Sequence, residues 1–196
     1  MSKVESYRQA LSRLDDWVPF LLKGSGLPGP RGNLELAHVV AQEGDRHQFE
    51  KFLLFPAEEN TPEVFVVFCG VVGLGKLCAS QPELFERLRE YASDARWRIR
   101  EAVATGLQLA GDQNMDLVLH EMNRWSQGNW YEKRAAAATL AEPRLLKQPN
   151  QARHVLDILD QITASMEPAV DGKDESFKVL RQAMAYCWSV AVVSLP

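Results

Sequence analysis

The sequence predicts an all-α fold in which helical hairpins stack into a solenoid. Residues Val64–Leu74, moved forward by thirty-three positions, align with Trp97–Leu107, and a second step of the same size reaches Trp130–Leu140. Apolar residues recur at helical spacing along most of the chain, and turn residues separate the helical segments. A repeat of this length is typical of architectures in which each unit packs only on its neighbours, so we expect one elongated domain over residues 1–196.

The first 32 residues are predicted to be an N-terminal helix followed by a loop. We expect the helix to span about Ser2–Leu22, because five apolar residues share one helical face there. Pro19 is expected to kink or shorten the end of this helix. The stretch Gly24–Gly32 is the densest in glycine and proline, and it is therefore predicted to be a loop or an extended clasp.

The repeats are predicted to fill residues 33–193, beginning with two short helices. Asn33 and Asp45 stand where they can cap these helices, and the short connection between the helices predicts an antiparallel pair. Thr61 is predicted to cap a longer helix that runs through Ala79.

The longer helix contains a continuous apolar run whose periodicity fits a buried strand equally well. Within it, Gly70–Lys76 has the glycine and lysine spacing of a phosphate-binding P-loop. However, Leu77 stands where that motif needs the hydroxyl that ligates magnesium, and the run is in register with two helical repeats. We therefore expect a helix whose glycines allow close packing, and we do not expect a nucleotide site.

Three later hairpins follow with clear turn residues between them. They are predicted as Pro82–Ser93 with Ala95–Ala110, Met115–Gln127 with Trp130–Leu145, and Asn150–Met166 with Asp174–Val193. The side of the Ala95–Ala110 helix that is free of core contacts is predicted to carry Arg98, Glu101, Thr105 and Gln108. In the next repeat, the positions equivalent to the first three hold Tyr131, Arg134 and Ala138. Stacked helices are therefore predicted to present a stripe of Tyr, Arg and Glu.

Two segments carry a resemblance to a known family. Ala95–Ala104 and Asn129–Ala138 resemble the second helices of HEAT repeats, in which a basic residue precedes an alanine-rich packing face. The resemblance covers about residues 33–193 and is strongest over 82–146. It implies a right-handed superhelix of HEAT-like hairpins, and it is specific for fold but not for activity.

The basic positions and nearby tryptophans form the candidate binding site. In the HEAT family the basic position often joins a hydrogen-bond ladder at the turn between repeats, and contact with a ligand is the alternative. Tryptophan beside arginine suits stacking of a base or a cation and neutralisation of phosphates, whereas tryptophan that fills gaps between repeats is the other interpretation. The predicted binding residues are Trp97, Arg98, Arg100, Tyr131, Lys133 and Arg134.

These observations predict a non-catalytic interaction module that binds a protein or peptide partner on its concave face. DNA binding is the alternative, because Trp130–Ala136 resembles a tract in alkylpurine DNA glycosylases built of HEAT-like repeats. No match to the catalytic aspartate of those enzymes is found, and the formal charge of −4 disfavours a DNA-wrapping protein. Residues 76–147, with eleven basic and ten acidic side chains, are the most positive part of the chain.

No catalytic set, cofactor or metal site is predicted. The four histidines show no metal-ligand spacing, and the three cysteines form no C-x-x-C pair, so a reducing compartment and a cytoplasmic location are expected. The segment Met184–Val193 is apolar on every side, although a terminal repeat normally has a polar outer face. Either the N-terminal segment folds back over it, or two copies of the chain pair through it as a homodimer.

Overall fold

A computed structural model describes residues 2–167 and 174–194, and almost all of its regular structure is α-helical. The helices are α1 (Lys3–Leu11), α2 (Val18–Gly24), α3 (Leu34–Glu43), α4 (Arg46–Leu53), α5 (Pro62–Leu77), α6 (Leu84–Ala92), α7 (Trp97–Gly111), α8 (Met115–Trp125), α9 (Trp130–Leu140), α10 (Pro149–Met166) and α11 (Glu175–Val192). These ranges contain no strand, so the all-α class is confirmed. None of the described helices combines the length and apolarity needed to cross a bilayer.

The helices pack in two rows. In one row α3, α5, α7, α9 and α11 each contact the next, and in the other α4, α6, α8 and α10 lie against α5, α7, α9 and α11 respectively. The predicted antiparallel pairing of α3 with α4 is wrong, because α3 and α4 both pack on α5. The reason is that α5 is buried from Val64 to Gly75 and offers an apolar surface to both of them.

The predicted first helix over Ser2–Leu22 is wrong, since the chain forms two helices there. Pro19 lies in the first turn of α2, where its missing N–H costs nothing, and not near the end of a longer helix. The Asp16 carboxylate accepts a hydrogen bond from the Val18 amide at 3.0 Å, and the Trp17 indole donates to the Leu11 carbonyl at 3.1 Å. These bonds fix the turn between α1 and α2.

The segment 25–33, which connects α2 to α3, is called the strap below. Asn33 ties down its end, because its side chain accepts from the Leu36 amide and donates to Tyr7 Oη at 2.9 Å and to the Gly24 carbonyl at 2.8 Å. The predicted cap at Asn33 is therefore confirmed. The N-terminal helices pack on α3 and α5, so the expectation that they fold back over Met184–Val193 is wrong.

Close approach of two helices explains the glycines of α5. A Cβ atom on Gly75 would lie 2.6 Å from the Cα atom of Gly106 in α7, a separation that side chains do not tolerate. The stretch Gly70–Lys76 lies within the helix and does not form a phosphate-binding loop. The prediction that these glycines serve packing is confirmed.

One predicted helix cap and one predicted helix end are wrong. Thr61 makes no capping bond, because its hydroxyl donates to the Glu58 carbonyl at 2.9 Å. Helix α9 ends at Leu140 and does not continue to Leu145, since Pro143 cannot continue the helical hydrogen bonds and begins a short 3-10 turn.

Candidate binding groove

A cavity of about 370 Å³ opens between the strap and the row formed by α5, α7 and α9. It is called the groove below. The lining side chains that carry the argument are Phe65 and Phe68 of α5, Trp97, Arg98, Glu101 and Gln108 of α7, and Arg134 of α9. The groove is therefore built by three helices at equivalent repeat positions, together with the strap.

One wall of the groove is apolar. The rings of Phe65 and Phe68 stack with their centroids 6.0 Å apart and their planes 10° from parallel. Leu27 and Pro30 of the strap also line this cavity, and Trp97 is 39 % exposed. Phe65 and Phe68 are themselves buried, so Trp97 is the aromatic residue of this wall whose ring is free to contact an apolar side chain of a ligand.

Glu101 supplies the groove with an unpaired acceptor. Within the described ranges no side chain or amide donates to its carboxylate, and its oxygens are not sealed from the cavity that they line. Burial raises the pKa of this carboxyl, while the nearby guanidinium groups of Arg134 and Arg98 act in the opposite direction without cancelling the effect. The charge on Glu101 is thus only partly compensated.

Arg134 lies thirty-three residues after Glu101, at the equivalent position of the next repeat. Its Nη1 atom donates to the Arg100 carbonyl at 3.1 Å, whereas its Nε atom is buried without a partner. Burial lowers the pKa of this guanidinium, but an arginine stays protonated at physiological pH. The second Nη group makes no hydrogen bond in the described part of the chain, so it remains available to a ligand.

Arg98 was predicted to be on the free side of α7, and this is wrong because it is only 4 % exposed. Its Nη2 atom donates to the Gly29 carbonyl at 2.6 Å and to Asn60 Oδ1 at 3.1 Å. Glu59 forms an ion pair with it at 3.7 Å, and the guanidinium stacks 4.4 Å from the centre of the Trp97 ring. The strap lies over Arg98, and this residue therefore holds the strap in place.

Arg100 and Tyr131 are not among the groove residues. Arg100 is buried and donates from Nη1 to the carbonyls of Asp94 at 2.6 Å and Ala95 at 2.9 Å, which belong to the turn between α6 and α7. Its guanidinium lies 4.7 Å from the centre of the Tyr131 ring. Arg100 is thus a structural hydrogen-bonding residue, but its acceptors lie in the turn within the α6–α7 hairpin and not in a turn between repeats, where the family resemblance placed the basic position.

Lys133 also lies outside the groove. Its ammonium group donates to Ser165 Oγ at 3.0 Å and lies 4.4 Å from the centre of the Trp130 ring. Trp130 packs edge-on against Phe177 of α11, and Trp125 is fully buried. Two of the three central tryptophans are therefore packing residues, and only Trp97 lines the groove.

The two phenylalanines of the groove could not be assigned to a site from their pattern, because they are part of an unbroken apolar run. Gln108 was expected on the same side as Glu101, and its Nε2 atom bonds across to the Ala138 carbonyl of α9 at 3.0 Å. The strap could not be positioned from sequence, since a Gly/Pro loop carries no periodicity. A signal for the paired charges was nevertheless present in the repeat register that aligns Glu101 with Arg134.

A second groove of about 540 Å³ lies between α8 and α10. It brings together His120 and His154 with the carboxylates of Asp116 and Asp157. These groups do not converge, because no three metal-ligating side chains of the described ranges are close enough to hold an ion.

Comparison with models of protein families, with curated proteins and with solved structures finds no match to this chain.

Proposed function

We propose that the chain is a HEAT-like helical-repeat module, a right-handed superhelix that binds a protein or peptide partner in the groove on its concave face. The thirty-three-residue repeat and the row of neighbouring helices α5, α7 and α9 support the architecture. In this proposal the module is a non-catalytic scaffold, and it is located in the cytoplasm.

The observation that carries this function is an open groove whose polar groups are unpaired. The Glu101 carboxylate accepts no hydrogen bond from the described residues, and Arg134, which donates to the Arg100 carbonyl, keeps its buried Nε atom without a partner. Both side chains line the cavity together with the apolar wall and the partly exposed ring of Trp97. Buried polar groups normally find hydrogen-bond partners, and a ligand provides them here. A peptide offers apolar side chains for the wall together with donors and acceptors for the two charged groups.

The arginines near the central turns, which include Arg96, Arg98 and Arg124, favour a peptide partner over the alternative DNA partner. Of these, Arg96 pairs with Asp94, Arg98 holds the strap, and Arg124 pairs with Glu86 and Glu121. Side chains that are already engaged cannot neutralise phosphates without breaking these contacts, and DNA affinity depends on such neutralisation.

The experiment is selection of random twelve-residue peptides on the wild-type protein, followed by fluorescence anisotropy with the selected peptides. We expect the variant Trp97→Ala to weaken binding about tenfold or more, because central aromatic side chains carry much of the affinity of such sites. Arg153→Ala is the matched control, because Arg153 is an exposed residue of α10 that does not line the groove, and this variant should leave the affinity unchanged.

Two results would overturn the proposal. One is a set of selected peptides whose affinities are the same for Trp97→Ala and for the wild type. The other is a short DNA duplex that binds in a Trp97-dependent way with a steep dependence on salt, which indicates a nucleic-acid site.

A further inference from the structure

The groove presents one donor and one acceptor at equivalent positions of neighbouring repeats. Arg134 offers the N–H groups that are not used by the Arg100 carbonyl, and Glu101 offers carboxylate oxygens with no donor among the described residues. The two side chains are near enough for each charge to influence the other, yet they form no direct ion pair. A ligand group that fits between them must accept from Arg134 and donate to Glu101.

The charge balance of the groove favours a neutral ligand group. Glu101 and Arg134 together carry no net charge, and the ion pair with Glu59 balances Arg98. Arg31 of the strap also lines the cavity, but it is exposed, so water and salt screen its charge more strongly than the charges of the two partly buried groups. An added carboxylate or phosphate would be attracted by Arg134 but repelled by Glu101, while an added ammonium would meet the reverse situation. Both would also lose hydration on entering a partly enclosed cavity, and this loss is costly for an ion.

We propose that the groove recognises a carboxamide, the side chain of an asparagine or glutamine in the bound peptide, with its carbonyl on Arg134 and its N–H on Glu101. This inference rests on the proposed function and specifies the partner. A primary amide carries both a strong acceptor and two donors in one plane, so it satisfies both groups at once. Recognition through paired polar groups discriminates strongly, because a ligand without one of the matching groups leaves a buried partner unpaired.

The apolar wall defines what lies beside the amide. Phe65, Phe68 and Trp97 line the same cavity as the two charged residues. Its volume of about 370 Å³ is enough for one aromatic or aliphatic side chain next to the carboxamide. The preferred peptide therefore carries Asn or Gln close to a large apolar residue.

The test uses three small probes of one shape on the full wild-type chain. They are 3-phenylpropionamide, 3-phenylpropionate and 3-phenylpropylamine, which present a neutral amide, an anion and a cation beside the same ring. Titration is followed by two-dimensional NMR at neutral pH through the indole of Trp97 and the amides of Glu101, Thr105 and Arg134. We expect the amide to shift these signals with a dissociation constant about tenfold lower than either charged probe, because it alone satisfies both groups.

Two variants assign the contacts. Glu101→Met and Arg134→Met keep the approximate side-chain length and should each reduce the preference for the amide over the charged probes to less than threefold. Arg153→Met serves as the control and should keep the preference. The comparison of probes on the wild type needs no variant, so it stands even where a substitution impairs folding.

An anionic or cationic probe that binds as tightly as the amide would overturn the carboxamide assignment. So would amide-induced shifts confined to other parts of the chain. Peptides that still bind in a Trp97-dependent way would leave the proposed function standing in that case. The loss of both the amide preference and the Trp97 dependence would remove the proposed function as well.

Discussion

Individual side chains of the groove show how burial changes the properties of a charged residue. Glu101 is partly buried between helices, and burial raises its pKa above the ordinary value of 4.5 although two guanidinium groups lie nearby. Arg98 occupies the previous turn of the same helix and is neutralised by Glu59 and by the strap. Charged residues in one helix thus serve either the fold or the site, depending on what covers them.

The first prediction concerns Glu101→Gln and stability against pH. A carboxyl with a raised pKa in the folded state destabilises the fold at pH values above that pKa, and the penalty disappears as the pH falls below the unfolded value of 4.5. We expect Glu101→Gln to increase the free energy of unfolding at pH 7 and to leave it unchanged near pH 4. Urea denaturation at the two pH values measures this, and equal stability of both proteins at pH 7 would contradict it.

The helical pattern of the sequence predicts the position of some of these side chains correctly and of others wrongly, and the difference has a physical reason. Periodicity correctly placed Glu101 and Gln108 on a side of α7 that is not fully buried. It failed at Arg98, because the residue that covers it belongs to the strap sixty-nine positions earlier in the chain. A contact of that separation leaves no trace in a helical pattern.

At the scale of elements, the sequence predicted helices better than their partners. The predicted cap at Asp45 is confirmed, since its carboxylate accepts a bond from the amide three residues later at 2.8 Å. Asn129 caps α9 in the same way at 2.9 Å. The break between α1 and α2 was missed, because the apolar spacing continues through it. The packing partner of α3 and α4 was also predicted wrongly. Both helices pack on the apolar surface of α5, and loop length alone does not reveal such a third helix.

The second prediction concerns the contact between α5 and α7. Gly75→Ala places a methyl group against backbone atoms of Gly106, which cannot move aside as a flexible side chain could. Overpacking of this kind lowers the free energy of unfolding by about 3 kcal/mol, and the better helix propensity of alanine offsets about 1 kcal/mol of this. We therefore expect the free energy of unfolding to fall by about 2 kcal/mol. Urea unfolding of the variant gives this value directly.

Gly32→Ala is the control for that substitution. Its added Cβ would lie 3.6 Å from the Phe65 ring, which is an ordinary contact, and the backbone there needs no left-handed conformation. We expect a change within about 0.5 kcal/mol. A Gly75→Ala protein as stable as the control would show that α5 and α7 can separate freely.

At the scale of the whole molecule, α11 is the last helix of its row within the described residues. Tyr186 of that helix is 66 % exposed and Val193, the residue directly after it, is 75 % exposed, while Cys187 and Met184 are buried. The sequence anticipated that this segment lacks a polar outer face. It could not show that the N-terminal helices lie on α3 and α5 and therefore do not cover α11.

The third prediction is that two copies associate through this exposed part of α11. Sedimentation velocity should show a dimer fraction that grows with protein concentration, because pairing removes exposed apolar surface from water. The double variant Tyr186→Lys with Val193→Lys should be monomeric, whereas Lys178→Gln, also on an exposed position of α11, should behave like the wild type. A wild-type protein that stays monomeric at millimolar concentration would rule out this association.

The hydrogen bond from Arg98 to the Gly29 carbonyl links two parts of the chain that are 69 residues apart. In a linear array each unit can open alone, since its contacts are local. Here the strap near the N-terminus is hydrogen-bonded to α7, which lies much later in the sequence. The amides of α2 and α3 should therefore exchange with deuterium only when α7 also opens. We therefore expect the strap, α2, α3 and α7 to open together, and the residues that line the groove to show the same protection from exchange.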